Sequence, residues 1–424
     1  MNKVYDASRA DEAPINALPD DVLKLIFEEA YEHRLNQSCQ CGYATVPTHV
    51  SCRWRRLATS LPYLWRYIHV TPSMDMLKLY LDRTELLPLF IRCSGTETDE
   101  DEQPPEPEGV TTRHMPCLES LLADYADRIQ LLDISSCYGH VLAQLLYTMQ
   151  QRSLPVLSYL SISNQNLDPE DDMEADLRFQ LCYPNLKDLH LLALPVEYSS
   201  SSFDSLRSLC ITHCNISILD LHALSNAAPQ LSSLTLSSVG SVIGINNIIP
   251  FPSLQSLTFI DEYFTVEKLG ILDQMDAPIL RRLCVDTFLD SRTNQPQPPR
   301  AFPSIRELCF RNTYMYAYSP TYDGNLFLYA PNAVHFELRN DRTKGSPVLR
   351  CLAENPAFLP LLHTVLVTGP RKLDCYTVLQ DLVARQAQRE GPLKELRLER
   401  EVIDEIGAEL EEVGNGIIQI VLAD

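Results

Sequence analysis

The ten residues FPSLQSLTFI (Phe251–Ile260) hold the apolar spacing that decides the fold of this chain. After a proline come Leu254, Leu257 and Phe259, which stand three and two residues apart with polar residues between them. Successive side chains of a β-strand point to opposite faces, so Leu257 and Phe259 share one face. The proline stands at the strand entrance, where no ladder donor is needed. The stretch therefore predicts a short strand with one buried face.

The same spacing occurs at eleven places, at intervals of 20 to 31 residues with a mean of about 26. Its first apolar position falls at residues 129, 157, 186, 206, 231, 254, 280, 305, 333, 362 and 393. A single unit of this kind cannot bury its own apolar face, so the copies are expected to stack on one another. LPLFIRCSG (Leu87–Gly95) predicts an earlier strand. At the other end, an acidic helix over Glu399–Glu412 and a last strand within NGIIQIVLAD (Asn415–Asp424) are expected to cap the array.

This period and the form L-x-x-L-x-L resemble the leucine-rich repeat family over roughly residues 120–424. The resemblance implies an α/β fold: an irregular solenoid of about 11–12 repeats with a parallel sheet on its concave face. Unequal intervals imply uneven, partly helical connections between the strands. The alternative is a set of unrelated amphipathic strands in an ordinary α/β domain.

A second pattern lies near the N-terminus, in ALPDDVLKLIFEEAY (Ala17–Tyr31). As a helix, this stretch carries apolar residues over roughly 200° of its circumference, which is wider than the stripe of an ordinary surface helix. They are Val22, Leu23, Leu25, Ile26, Phe27, Ala30 and Tyr31, with Glu29 intruding. One apolar face is expected to pack inside this region and the other to await a cover, which is either a partner protein or this chain's own repeats.

A second helix is predicted by Val50, Trp54, Leu57, Ala58 and Leu61, which recur on one helix face. LPYLW (Leu61–Trp65) follows it. In this order, LPDDVLKLIF, VSCRWRRLA and LPYLW resemble an F-box, over about residues 15–71. The resemblance implies a three-helix module that binds the Skp adaptor of cullin–RING ubiquitin ligases. The positions that match the family's contact residues are Leu18, Pro19, Leu23, Ile26, Phe27, Trp54, Leu57, Leu64 and Trp65.

Composition narrows the choice of compartment and partner. The 424 residues carry a formal net charge of −21, which disfavours binding to nucleic acid or to anionic membranes. The N-terminus has no apolar signal region, no apolar run is long enough to span a bilayer, and the 13 cysteines show no regular pairing. We therefore expect reduced thiols and a cytoplasmic or nuclear location. Residues 1–14 and the acidic loop 95–112 are expected to be disordered, between an F-box at 15–71 and repeats over 72–424.

No catalytic motif for phosphate, metalloprotease or serine-hydrolase chemistry is found, so no catalytic residue, cofactor or metal is predicted. Cys39, Cys41, His49 and Cys52 could supply four zinc ligands, but ordinary thiols are the simpler interpretation. An enzyme with an unlisted motif is a remaining alternative.

Arginines are frequent among the strand positions expected to face outward. The candidates are Arg281, Arg282, Arg306, Arg311, Arg339 and Arg397, and Arg207 and Lys394 occupy similar positions. Because arginine suits carboxylates and phosphates, the hypothesis is a basic strip that binds an acidic or phosphorylated target segment. The alternative is a solvated face neutralised by Asp286, Glu307, Glu337 and Glu395.

Together, the two resemblances imply a non-catalytic substrate receptor of an SCF-type ubiquitin ligase. Its F-box would bind the adaptor, and through it the cullin and RING subunits, while its repeats hold the protein target. The alternative is a repeat scaffold that acts outside any ligase.

Overall fold

The structure is a computed structural model of the chain. It describes residues 14–35, 43–94, 110–135, 139–164, 180–194, 196–214, 216–237, 248–264, 266–289, 300–311, 325–339, 347–355, 357–369, 376–388, 393–414 and 418–423. The chain forms two compact units, Met1–Asp171 and Asp172–Asp424. The expected N-terminal disorder, most of the acidic loop, and Cys39 and Cys41 of the zinc hypothesis lie outside the described residues.

The first unit is mixed α/β. Its helices are α1 (Asp20–Leu35), α2 (Cys52–Thr59), α3 (Pro62–Trp65), α4 (Met74–Arg83), α5 (Met115–Asp124) and α6 (Gly139–Gln150). Its strands are β1 (Tyr67–His69), β2 (Leu89–Cys93), β3 (Ile129–Ile134) and β4 (Tyr159–Ser163). All three adjacent strand pairs are parallel. The sequence predicted β2, β3 and β4, whereas β1 falls where only the end of the helical module was expected.

The second unit is a longer alternation of strands and connections. Its helices are α7 (Ile218–Ala227), α8 (Val266–Gln274), α9 (Asn325–Tyr329), α10 (Pro347–Glu354), α11 (Tyr376–Gln388) and α12 (Arg400–Val413). Its strands are β5 (Asp188–Leu192), β6 (Ser208–Thr212), β7 (Ser233–Ser237), β8 (Ile249–Pro250), β9 (Ser256–Phe264), β10 (Met275–Asp276), β11 (Arg282–Leu289), β12 (Glu307–Arg311), β13 (His335–Arg339), β14 (Thr364–Thr368), β15 (Glu395–Leu398) and β16 (Gln419–Leu422).

Parallel pairing in chain order joins the strands of the second unit. Each strand from β5 to β16 pairs with the next, apart from β8 and β10, which pair with each other. Parallel neighbours need a crossover connection, and short helices such as α7 and α10 provide it. A long parallel sheet with partly helical connections is compatible with the predicted repeat solenoid, and the α/β class is confirmed.

The core follows the repeat. In all eleven copies the three spaced apolar residues are at most 2% exposed, from Ile129, Leu132 and Ile134 in the first to Leu393, Leu396 and Leu398 in the last. The strand predicted from Phe251–Ile260 is β9, with Leu254 fully buried at its entrance. At the end of the chain, α12 and β16 form where the acidic helix and the closing strand were predicted.

Candidate functional site

The apolar contact between helix α1 and its unit is a narrow strip of three side chains. Leu23, Phe27 and Tyr31 are spaced four residues apart, so they share one face of the helix, and all three are buried. The ring of Phe27 lies 4.9 Å from that of Trp54 on α2, in an edge-to-face arrangement. Burial raises the pKa of Tyr31 to about 12, although the positive charge of Arg66 opposes the shift, so the phenol stays neutral.

The N-terminus of α1 is fixed mainly by Arg53, while Arg56 lies 3.8 Å from the same Asp20 carboxylate. Arg53 on α2 donates from Nη2 to Oδ1 of Asp20 and to the carbonyl oxygen of Leu18, both at 2.5 Å, and from Nε to Asp20 at 2.8 Å. The start of α2 is capped by Ser51, whose hydroxyl accepts from the backbone N–H of Trp54 at 3.2 Å. The carboxylate of Asp20 therefore interacts favourably with the positive end of the α1 dipole and also accepts hydrogen bonds from Arg53.

The opposite side of α1 is apolar and exposed. Val22 and Ile26 are each 37% exposed and Leu25 is 64% exposed. At 100° per residue, Leu25 and Val22 lie opposite Leu23 and Phe27, with exposed Glu29 between them, and Ile26 lies at the border of the buried strip. We call these three residues the apolar face of α1. Among the residues that the structure describes, this face is left partly exposed, most of all at Leu25.

The residues predicted to bind the adaptor differ in how far this packing buries them. Leu23, Phe27, Leu57, Leu64 and Trp65 are buried in the core of their own unit, Leu18 and Trp54 are half-buried, and Pro19 and Ile26 are exposed. The indole N–H of Trp65 donates to the carbonyl oxygen of Ala58 at 2.9 Å. The buried five therefore shape the module, and the surface that a partner could touch includes Leu25 and Val22, which the predicted set left out.

The zinc hypothesis gains no support from the described part of the chain. Cys52 is exposed at the start of α2, and no group of three or more His, Cys, Asp or Glu side chains is arranged to hold a metal ion among the described residues. Among the same residues no helix combines the length and hydropathy that crossing a bilayer requires.

The second candidate surface is one face of the sheet from β11 to β15. The strand register sets Arg282, Glu307, His335, Thr364 and Glu395 in one transverse row, and Cys284, Cys309, Glu337, Leu366 and Arg397 in the next. A third row contains Asp286, Arg311, Arg339 and Thr368. We call these three rows the charged sheet face. Four arginines in it are matched by four carboxylates.

Three of the four arginines of this face, Arg282, Arg339 and Arg397, form ion pairs with its carboxylates. Glu337 is 5% exposed and lies 3.4 Å from Nη2 of Arg282, and it also pairs with Arg339. Arg282 is 3.9 Å from Glu307, and Nε of Arg397 is 2.6 Å from Glu395. An open cavity of about 380 Å³ is lined by Arg282, Glu307, His335, Glu337, Arg339, Leu366 and Arg397. A buried carboxylate held between two guanidiniums gives this face fixed charges of both signs.

Three groups on this face, His335, Cys284 and Cys309, have shifted pKa values. Burial lowers the pKa of His335, Glu307 opposes that shift, and Arg397 and Arg282 add to it. Cys284 and Cys309 face each other across β11 and β12, and a hydrogen bond between them lowers the pKa of Cys284 and raises that of Cys309. The sequence pattern did not reveal this pair, since 25 residues separate its members.

The predicted basic strip is therefore divided, and its six members do not form one surface. Arg282, Arg311, Arg339 and Arg397 belong to the charged sheet face, where the alternative of a neutralised face describes them better. Arg281 and Arg306 instead stand one residue before β11 and β12, where they are exposed at the strand-entry edge of the sheet. The correction arises because side chains alternate along a strand, so adjacent arginines cannot share a face.

Comparison with known proteins does not assign the chain to a family. No protein-family model matches the chain, and no curated protein matches it. Among solved structures, a protein from Bacteroides fragilis is similar over 72% of this chain and 68% of its own, with 11% sequence identity and a TM-score of 0.31. A similarity of that size identifies no family.

Proposed function

We propose that this chain is a non-catalytic substrate receptor of an SCF-type ubiquitin ligase. In this proposal residues 15–71 act as an F-box that binds a Skp-type adaptor, and the strands from β3 onward act as leucine-rich repeats that hold the target. The observation that carries it is the exposed apolar face of α1, on a helix whose other side is pinned to its unit.

Three features support an adaptor as the cover for this face. The sequence around it resembles the adaptor-binding module residue by residue, from Leu18 to Trp65. The face is rigidly presented, because Phe27, Tyr31 and Arg53 fix α1 from the opposite side. Burying three aliphatic side chains contributes on the order of 5 kcal/mol before the costs of association, which suits an anchor within a larger contact.

The test measures binding of a purified Skp-type adaptor to the full chain by calorimetry. Ile26→Asp and Leu25→Asp place a charge on the apolar face of α1 and are each expected to weaken binding at least about tenfold, as substitution at an interface anchor does. The matched control is Leu219→Asp on α7, because Leu219 is 68% exposed on a helix of the other unit. The control is expected to bind like the wild type.

The outcomes separate the alternatives. Wild-type protein that does not bind any Skp-type adaptor would overturn the ligase proposal and favour a scaffold outside a ligase. Binding that survives both α1 variants would place the adaptor elsewhere. Thermal unfolding of each variant checks that an exposed substitution has left the fold intact.

A further inference from the structure

A continuous row of residues runs along the strand-entry edge of the second unit, one position before each of nine strands: β5, β6, β7, β9 and β11–β15. We call it the edge row; it consists of Lys187, Arg207, Ser232, Gln255, Arg281, Arg306, Val334, His363 and Lys394. Backbone hydrogen bonds join its members one to the next. For example, the carbonyl oxygen of Gln255 accepts from the N–H of Arg281, and that of Arg281 accepts from the N–H of Arg306, each at 2.8 Å.

The edge row contains five basic residues and no carboxylate, in a chain with a net charge of −21. All five are exposed, and within the described residues none of them forms an ion pair. Arg306 donates from Nη1 to the carbonyl oxygen of Asn332 at 3.0 Å, which orients the guanidinium and leaves its other donors for a ligand. These residues differ from Arg282, Arg339 and Arg397 of the charged sheet face, which already form ion pairs with carboxylates.

The turns that precede the edge row add little negative charge. Pro252, Pro278, Pro303 and Pro331 occupy equivalent turn positions, and Asp204 is the acidic exception among the described turns. In the first row of the sheet face, Glu307 and Glu395 are engaged with Arg282 and Arg397. Asp188 and Asp204 flank Lys187 and Arg207, so the positive potential of the edge row is least cancelled at Arg281 and Arg306. Distant acidic groups are screened beyond about 10 Å at ordinary ionic strength.

The spacing of the basic residues defines a ligand pattern. Lys187 and Arg207 are hydrogen-bonded neighbours, and Arg281 and Arg306 form a second neighbouring pair four strands further along. At about 4.8 Å per strand, the centres of the two pairs are about 19 Å apart. An extended peptide rises about 3.3 Å per residue, so six residues cover that distance.

We propose that the edge row binds an extended acidic peptide that carries two acidic pairs about six residues apart. Within each pair the two acidic residues are separated by one residue, because alternate side chains of an extended chain share a face. This assignment rests on the proposed function, since it names the class of target segment that the repeats recognise. Sparse carboxylates fit the row better than a nucleic-acid backbone does, because its basic pairs are separated by Ser232 and Gln255 and the rest of the chain repels a dense anion.

The test uses the full chain and a labelled peptide, Glu-Ser-Glu-Gly-Ser-Gly-Glu-Ser-Glu, and measures binding by fluorescence anisotropy at 50 and 300 mM salt. The edge variant Arg281→Ser/Arg306→Ser is expected to weaken binding at least about tenfold at low salt. The matched control, Arg339→Ser/Arg397→Ser on the charged sheet face, removes the same charge and is expected to change binding less than about threefold. Arg281→Lys/Arg306→Lys is expected to restore most of the affinity.

Three results would overturn the proposal. They are equal losses in the edge and face variants, equal affinity for a peptide whose four glutamates are contiguous, and tighter binding of a single-stranded oligonucleotide with the same charge. Adaptor binding of the edge variant is measured alongside. It is expected to be unchanged, so a failure of the edge row is distinguishable from a failure of the ligase proposal.

Discussion

The N-terminal helices and the repeat strands bury their leucines in different ways. In the repeats each apolar face is covered by the next copy, and the repeated positions are at most 2% exposed. Helix α1 has no successor of its own kind, so Leu23 and Phe27 are buried while Leu25 and Ile26 are left at the surface. A repeat buries its apolar face by stacking on its neighbours, whereas a short helical module with two apolar faces buries only one of them.

The same substitution in the two regions should have very different effects. Leu257→Asp puts a charge on β9, between β7 and β11, where Leu257 is fully buried. We expect the free energy of unfolding of the full chain to fall by about 5 kcal/mol, because the carboxylate has no partner there. Leu25→Asp on α1 should change it by less than about 0.5 kcal/mol. Urea unfolding followed by circular dichroism compares them, and similar losses would break the distinction.

Within α1, the two apolar sides should also differ. Phe27→Ala removes a buried ring that packs against Trp54, and we expect it to lower the free energy of unfolding by about 3 kcal/mol. Ile26→Ala, on the exposed side, should cost less than about 1 kcal/mol. The near-ultraviolet circular dichroism of the two tryptophans reports this unit specifically. A larger loss for Ile26→Ala would mean that the apolar face of α1 is covered.

A smaller effect is expected for the polar attachment of α1. Arg53→Met removes the hydrogen bonds to Asp20 and to the carbonyl oxygen of Leu18, and should cost about 1 kcal/mol. Lys24→Met removes the exposed pair with Asp21 and serves as the control, because surface pairs of that kind contribute little. The urea unfolding midpoints of the two variants are compared. An equal decrease in both would show that the hydrogen bonds of Arg53 stabilise α1 no more than an exposed surface pair does.

The smallest effect concerns pH in the repeat unit. The pKa of His335 is lowered by burial, so as pH falls through 6.5 the unfolded chain takes up this proton before the folded chain does, and stability is lost. His335→Gln should therefore lose less stability than the wild type between pH 7.5 and pH 5.5. His222→Gln, at an exposed position on α7, is the control. Parallel slopes for all three proteins would contradict the assignment to His335.

The sequence predicted the strands well, and it predicted the sites only in part. Eleven copies of one spacing placed eleven strands, since burial at alternate positions is a local property repeated with a period. Pairing across strands is not local, because Glu337 and Arg282 are 55 residues apart in the chain. The sequence could therefore offer a face whose charges neutralise one another as an alternative, but it could not choose between that face and a basic strip. The edge row also appears only when residues one repeat apart become neighbours.

By itself, the amino-acid sequence determined the period, the strand positions and the two-sided apolar character of α1, because these depend on residue type and spacing along the chain. Tertiary structure alone decided which side of α1 is exposed, that β1 exists, and which arginines hold carboxylates. Those outcomes depend on which distant residues become neighbours. The apolar pattern of a helix or strand defines its faces, but it does not determine which other residues pack against them.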